Sequence, residues 1–209
     1  KKINIKNIKN NGILYLKNKL QKEGYFSNYR EINKYNTQIA IISSIHGAAV
    51  KDILSVIRKN NNCTKVIIYD ARVQGIKTVE SVCNAINEIN NYTNIKRKIN
   101  VIILSRGGGS TEDLIHFNDE NIVKSIYSSK IPIISGIGHQ NNKSLSDFAA
   151  DYHAITPSIA ANIASFNSDE LIYYMKIMNE RLNNIVEYYF EKYSRRINHY
   201  KYQLSQKTP

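Results

Sequence analysis

The residues best suited to chemistry fall in a single stretch, Val101–Asp119. A short apolar run ends at Leu104, Arg106 follows, and three glycines precede Ser110 and an acidic pair that can begin a helix. This order predicts a strand, a tight turn and a helix N-terminus. Glycine N–H groups can converge on an anion without interference from Cβ atoms, and the Arg106 guanidinium adds a permanent positive charge. We therefore predict that a phosphate binds to Gly107, Gly108, Gly109 and Ser110 beside Arg106; the alternative is a glycine turn that only reverses the chain.

Four apolar runs that alternate with helical patterns must position this stretch. The predicted strands are Ile39–Ser44, Lys65–Asp70, Asn100–Leu104 and Ile131–Gly138, and the predicted helices between and after them are Gly47–Arg58, Thr78–Ile89 and Asn121–Tyr127. Apolar strands that alternate with helices indicate a parallel sheet covered on both faces. We expect an α/β fold with an open, mostly parallel sheet of about four strands.

The loops after these strands carry polar residues that a parallel sheet brings to one edge. Ligands of open parallel sheets bind outside the carboxyl ends of the strands. The polar residues at this edge are Ser43, Ser44, His46, Gly47 and Asp52 after the first strand, Ser105 and Arg106 after the third, and His139, Asn142, Asp147 and Asp151 after the fourth. Such a convergence fits hydrolysis of a phosphate ester, with Ser44 and Gly47 among the phosphate contacts. Alternatively, His139 is structural, Asp52 is a solvated helix carboxylate, and Asp147 with Asp151 either holds a cation or caps neighbouring residues.

Composition favours a polyanionic partner. The net charge is +12 and the isoelectric point is near 9.5, although the abundance of lysine and asparagine throughout the chain is also typical of compositional drift. Cys63 and Cys83 form neither a disulfide framework nor a metal-binding spacing, which fits a reducing compartment. No apolar run reaches membrane-spanning length and no signal peptide is visible, so we expect a cytoplasmic protein with no membrane partner.

The last part of the sequence predicts one long helix. No glycine or proline occurs between Ser168 and Pro209, and apolar residues step by four and three along it. This spacing is typical of a coiled coil, and such a helix would bury its stripe against a second copy or a different subunit. We therefore divide the chain into a linker and connecting helix (1–37), an α/β catalytic domain (38–165) and the start of a long helical extension (166–209).

Several stretches resemble one known family, the large subunit of exodeoxyribonuclease VII. The matching stretches are SSIHGAAVKDIL (43–54), VQG (73–75), SRGGGSTEDLIHFNDE (105–120), IPIISGIGH (131–139) and SDFAADYHAITPSIAA (146–161). The resemblance implies a nuclease that hydrolyses phosphodiester bonds of single-stranded DNA from its ends and releases short oligonucleotides. It also implies several copies of a small helical subunit along the C-terminal helix, and self-association of the large subunit is possible.

The resemblance assigns catalytic positions to Asp52, Arg106, His139 and Asn142. It implies that Arg106 and the glycine N–H groups stabilise the transition state, that His139 moves a proton, and that Asp52 orients a group or activates water. It implies no certain cofactor; Mg²⁺ is possible, but the sequence does not require it.

Departures from the family pattern leave an alternative open. The family's GHETD is GHQNN here, so Gln140 and Asn142 replace carboxylates, and Ser105 replaces the glycine before the arginine. An amide cannot accept a proton, so the alternative is a weakened or inactive remnant that binds single-stranded DNA or acts as a scaffold. A third interpretation, a mononucleotide-binding domain, lacks a suitably placed P-loop lysine or ribose-binding acid.

Overall fold

The computed structural model describes residues 5–27, 29–92, 98–107, 111–138 and 142–207. The chain forms two compact units, Lys1–Phe166 and Asn167–Pro209. Within the described ranges, every helix is too short or too polar to traverse a lipid bilayer.

The first unit is built on an open sheet in which all paired strands are parallel. Its described strands are β1 (Gln38–Ser43), β2 (Lys65–Asp70), β3 (Val101–Ser105), β4 (Ile133–Gly136) and β5 (Tyr152–His153), in the spatial order β2-β1-β3-β4-β5. The predicted open parallel sheet is confirmed. The fifth strand was not predicted, because two residues are too few to show any periodicity.

Helices cover both faces of this sheet. They are α1 (Ile5–Lys22), α2 (Ala48–Asn60), α3 (Thr78–Asn90), α4 (Glu120–Ser128), α5 (Leu145–Ala149) and α6 (Pro157–Ala164). Alternate strand residues enter two separate cores. On β1, for example, Ile39 and Ile41 pack with α2 and α6, whereas Ala40 and Ile42 pack with α3 and α4. Each fully buried isoleucine contributes about 1.5–3 kcal/mol relative to an exposed one.

The N-terminal helix α1 contributes to the core. Its residue Leu20 is fully buried, and the Nζ atom of Lys19 lies 3.0 Å from the Glu120 carboxylate. Hydrogen bonds from Lys124 and Lys19 lower the pKa of Glu120 below its usual value. The helix is followed by Gly24, whose φ of 84° suits glycine and directs the chain toward β1.

The segment after the glycine turn differs from the prediction. An eight-residue 3₁₀ helix spans Thr111–Asn118, and α4 begins only at Glu120, where the Asp119 carboxylate accepts a hydrogen bond from Asn121 N at 2.8 Å. Contacts with α5 hold the end of the 3₁₀ segment, since Asn118 Oδ1 accepts from Leu145 N at 2.8 Å. The acidic pair Glu112–Asp113 therefore lies in a 3₁₀ helix. The first α-helix after the glycines is α4, and Asp119 is its N-cap.

The second unit contains a single 40-residue helix, α7 (Ser168–Lys207), which confirms the predicted long C-terminal helix. Its first turn is capped by Asn167, whose Oδ1 accepts from Asp169 N at 2.9 Å. The apolar stripe is exposed; Met178, Leu182 and Ile185 show 62%, 60% and 57% of their surface.

Candidate functional site

The strand order defines where a ligand can bind. The connections from β1 and β3, which are neighbours, leave toward opposite faces: α2 packs on one face and α4 on the other. In open α/β sheets this divergence leaves a crevice at the carboxyl ends of the two strands, and ligands bind there. The predicted site residues that follow β1 and β3 within the described ranges, such as Gly47 and Arg106, therefore lie at the mouth of this crevice.

A tight turn after β1 leads into α2. Gly47 N donates to Ser44 O at 2.8 Å, and Ile45 N donates to Asp70 Oδ1 at 2.9 Å. A Cβ atom on Gly47 would lie 2.9 Å from Ser44 O, so the turn requires glycine at this position. Gly47 has extended backbone angles and is the N-cap of α2, yet no described side chain caps the helix. The first-turn N–H groups of α2 are therefore open to another acceptor.

The segment after β3 lies beside this helix start. Arg106 and Gly107 are both half-buried, and a Cβ atom on Gly107 would lie 3.9 Å from Ala48 N. Asp52 is exposed, one turn further along α2 on the same face as Ala48, and makes no hydrogen bond or ion pair with any described residue. The structure thus brings the start of the glycine turn next to the helix that carries Asp52.

Two buried hydroxyl groups lie at this edge of the sheet; the sequence placed them there but assigned them no contact with a ligand. Ser43 and Ser105 end β1 and β3, both are fully buried, and neither Oγ atom has a hydrogen-bond partner among the described residues. Buried polar groups are normally paired, so two unpaired groups side by side require an explanation. The only sequence signal was their position at strand ends.

On the other half of the edge, a buried carboxylate organises the loop after β4. Asp147, which is 4% exposed, accepts hydrogen bonds from Ser135 Oγ, from Ser144 N at 2.7 Å and from Ser144 Oγ at 2.8 Å. His153 Nε2 lies 2.9 Å from Gly138 O and 3.9 Å from Asp147 Oδ1. These contacts fix Gly138, the residue before His139.

Asp147 and Asp151 do not form the cation site that was one alternative. Asp147 belongs to the network just described, while Asp151 Oδ1 accepts from Arg30 Nε at 2.9 Å and Asp151 Oδ2 accepts from Ile133 N at 2.7 Å. The two carboxylates therefore have separate structural partners. Across the described ranges, no group of three or more His, Cys, Asp or Glu side chains is arranged to hold a metal ion.

One predicted site residue after β4, Asn142, lies within the described part of the chain. Asn142 is exposed, and its carbonyl oxygen lies against Gly138. The residues His139, Gly108, Gly109, Ser110 and Gln140 lie outside the described residues. Ser44, Gly47, Asp52, Arg106 and Gly107 are described, and all of them follow β1 or β3.

These features define a doubly wound α/β protein with a polar crevice at its topological switch point. Comparison with known proteins narrows this class. The sequence profile of the family "Exonuclease VII, large subunit" matches residues 26–209, and the chain belongs to this family.

Individual relatives agree with this assignment. The exodeoxyribonuclease 7 large subunit of Halothermothrix orenii is 41% identical over 194 residues, which cover 90% of this chain and 47% of the relative. That of Clostridium botulinum is 37% identical over 216 residues, covering 98% of this chain and 52% of the relative. That of Clostridium beijerinckii is 43% identical over 158 residues, which cover 75% of this chain and 39% of the relative. The chain thus spans about half the length of the curated relatives it matches, or somewhat less.

Proposed function

We propose that this chain is the catalytic part of a nuclease that hydrolyses phosphodiester bonds of single-stranded DNA from its ends and releases short oligonucleotides. One observation carries the proposal: in a chain of the exonuclease VII large-subunit family, Gly107 lies beside the N-terminus of α2, and Asp52 stands one turn further along the same face. Arg106 precedes Gly107, so positive charge, backbone donors and a carboxylate flank one crevice. The net charge of +12 favours a polyanionic substrate.

In the proposed reaction a water molecule attacks phosphorus, and the bond to the leaving oxygen breaks. Arg106 and the neighbouring N–H groups stabilise the negative charge that builds on the non-bridging oxygens. Asp52 orients or deprotonates the water, and His139 delivers a proton to the leaving oxygen. Asn142 stands where the family has a carboxylate, and its amide can hold a group by hydrogen bonds but cannot accept the proton.

The exposed stripe of α7 supports a helical partner in this function. Its apolar residues step at coiled-coil spacing, and Leu182 and Ile185 are more than half exposed. We assign this stripe to several copies of the small subunit, with pairing of two large subunits as the alternative. The activity assay is therefore run with and without the small subunit.

The test is release of acid-soluble product from end-labelled single-stranded DNA by the wild-type chain, His139→Ala and Asn142→Asp. We expect the wild type to cut, and His139→Ala to lose about 10²–10⁴-fold in rate because proton transfer is lost. An inert wild type with an active Asn142→Asp variant would support the weakened remnant. If all three bind DNA but none releases product, the chain is a scaffold and the nuclease proposal is wrong.

A further inference from the structure

The strands β1 and β3 end in Ser43 and Ser105, whose hydroxyl groups are buried and have no partner among the described residues. Ser43 and Ser105 are both 0% exposed, and their Oγ atoms lack hydrogen-bond partners in the described part of the chain. The register pairs Ile42 with Leu104, so the next residues, Ser43 and Ser105, are neighbours on adjacent strands. Two desolvated hydroxyls therefore stand side by side at the switch point.

Strand alternation shows which helix these hydroxyls face. Ile41 and Ile103, two residues earlier on each strand, belong to the core that includes Val50 and Ile53 of α2. Since side chains on a strand repeat direction every second residue, Ser43 and Ser105 lie on this same face. They are the last strand residues before the turn into α2 and before the Arg106–Gly107 segment, respectively.

The start of α2 supplies the other half of a binding site. This 13-residue helix begins at Gly47 with no capping side chain among the described residues, so its first N–H groups and its dipole are uncompensated. Gly107, which has no Cβ, lies against Ala48 N. Uncapped helix N-termini beside glycine favour phosphate oxygens.

We propose that the hydroxyls of Ser43 and Ser105, together with the first-turn N–H groups of α2, form a subsite that binds the non-bridging oxygens of a phosphate in the DNA backbone. The inference rests on the proposed function and deepens it, because it adds two phosphate contacts on the side of α2. Ser44 and Arg106, the next residue after each serine, are only half-buried, so each hydroxyl lies one residue behind the surface of the crevice.

The proposal has a signature that a purely structural role would not have. A buried hydroxyl without a partner lowers stability, so its removal should stabilise the ligand-free chain. The same removal deletes a hydrogen bond to a charged acceptor in the complex, which is stronger than a neutral one. Stability without ligand and affinity for phosphate should therefore change in opposite directions.

The experiment measures the thermal midpoint of Ser43→Ala and Ser105→Ala as inorganic phosphate is added, beside the rate of single-stranded DNA cleavage. We expect each midpoint without phosphate to rise by about 2–4 °C. We also expect the dissociation constant for phosphate, taken from the phosphate-dependent shift, to increase about tenfold or more. Ser165→Ala is the matched control, because Ser165 is 8% exposed and its Oγ donates to Ala161 O at 2.7 Å, within α6 and its C-cap.

The control should leave phosphate affinity unchanged and should not raise the midpoint. Unchanged phosphate affinity in both serine variants would overturn the subsite, even if the wild type cuts DNA. If the serine variants lose phosphate affinity while the wild type cuts no DNA, the subsite stands and the proposed nuclease function fails. If phosphate does not shift the wild-type midpoint at all, the subsite is wrong.

Discussion

The two halves of the carboxyl edge of the sheet differ in how their polar groups are satisfied. In the β4–β5 half, which comprises residues 135–138 and 142–153, the carboxylate of Asp147 accepts from Ser135 and Ser144. The carbonyl oxygen of Gly138 is bonded to His153 at 2.9 Å. These groups are therefore paired within the chain, and their hydrogen bonds hold in place Gly138 and Ser144, on either side of the segment 139–142.

The β1–β3 half, which comprises residues 43–52 and 105–107, has polar groups that lack hydrogen-bond partners among the described residues. Ser43 and Ser105 have buried hydroxyls without partners, and Asp52 is exposed with no bond to any described residue. The N-terminus of α2 has no side-chain cap from the described residues either. Because buried hydroxyls without partners are costly unless something binds them, the comparison indicates that the phosphate contacts belong to this half, whereas the Asp147 network supports the loop after β4.

The two halves should differ most in how much stability is lost when Asp147 or Asp52 is replaced by alanine. We expect Asp147→Ala to lower the free energy of unfolding by about 3–5 kcal/mol, since it leaves three buried donors of Ser135 and Ser144 without an acceptor. Asp52→Ala should change it by about 0.5 kcal/mol or less, because that carboxylate is exposed. Urea denaturation of both variants measures this.

Asp52→Ala is a control for the stability measurement, but it is not a control for activity. Under the proposed function it should abolish most single-stranded DNA cleavage while the denaturation midpoint stays at the wild-type value. Equal destabilisation by the two substitutions would break the comparison, because both halves would then be structural.

Alanine substitutions of one glycine from each half, Gly138 and Gly107, should show a smaller difference in stability. A Cβ atom at position 138 would lie 2.6 Å from Asp147 Oδ2 and would also overlap the backbone of Asn142, whereas the nearest described atom to one at position 107 would be Ala48 N at 3.9 Å. We expect Gly138→Ala to cost about 2–3 kcal/mol of stability and Gly107→Ala less than about 0.5 kcal/mol. Thermal unfolding of the two variants tests this, and a tolerated Gly138→Ala would show that the β4–β5 loop is loosely held.

The fold was predictable because the strands are apolar throughout. Continuous runs such as the one in β3 arise only where both faces of a strand are buried, and they alternate with helical patterns. Strand order was not predictable from local pattern, since it depends on which faces the helices cover. The 3₁₀ helix Thr111–Asn118 was also missed, because contacts of Asn118 with α5 override the local preference for an α-helix.

The sequence predicted which loops form the candidate site, but not which hydrogen bonds their residues make. Arg106 could be chosen by residue type and Asp52 only through the family resemblance, whereas the unpaired state of Ser43 and Ser105 follows from burial and register. Likewise, nothing in the sequence distinguishes Asp147, which supports the β4–β5 loop, from an aspartate that binds a ligand. The roles of all the predicted site residues stay predictions, and His139 and Ser110 lie outside the described residues.

The smallest contrast concerns two serines. Ser144 forms a capping box with Asp147: its Oγ accepts from Asp147 N at 3.3 Å, and Ser144 N donates to Asp147 Oδ2 at 2.7 Å. We expect Ser144→Ala to cost about 1 kcal/mol of stability because the cap is lost, and Ser44→Ala to cost less than about 0.5 kcal/mol because Ser44 is half-buried and lies at the ligand side. Chemical denaturation gives both values, and single-stranded DNA binding completes the test. Affinity should fall in Ser44→Ala and stay at the wild-type level in Ser144→Ala, and the reverse pattern would place the phosphate contacts in the β4–β5 half.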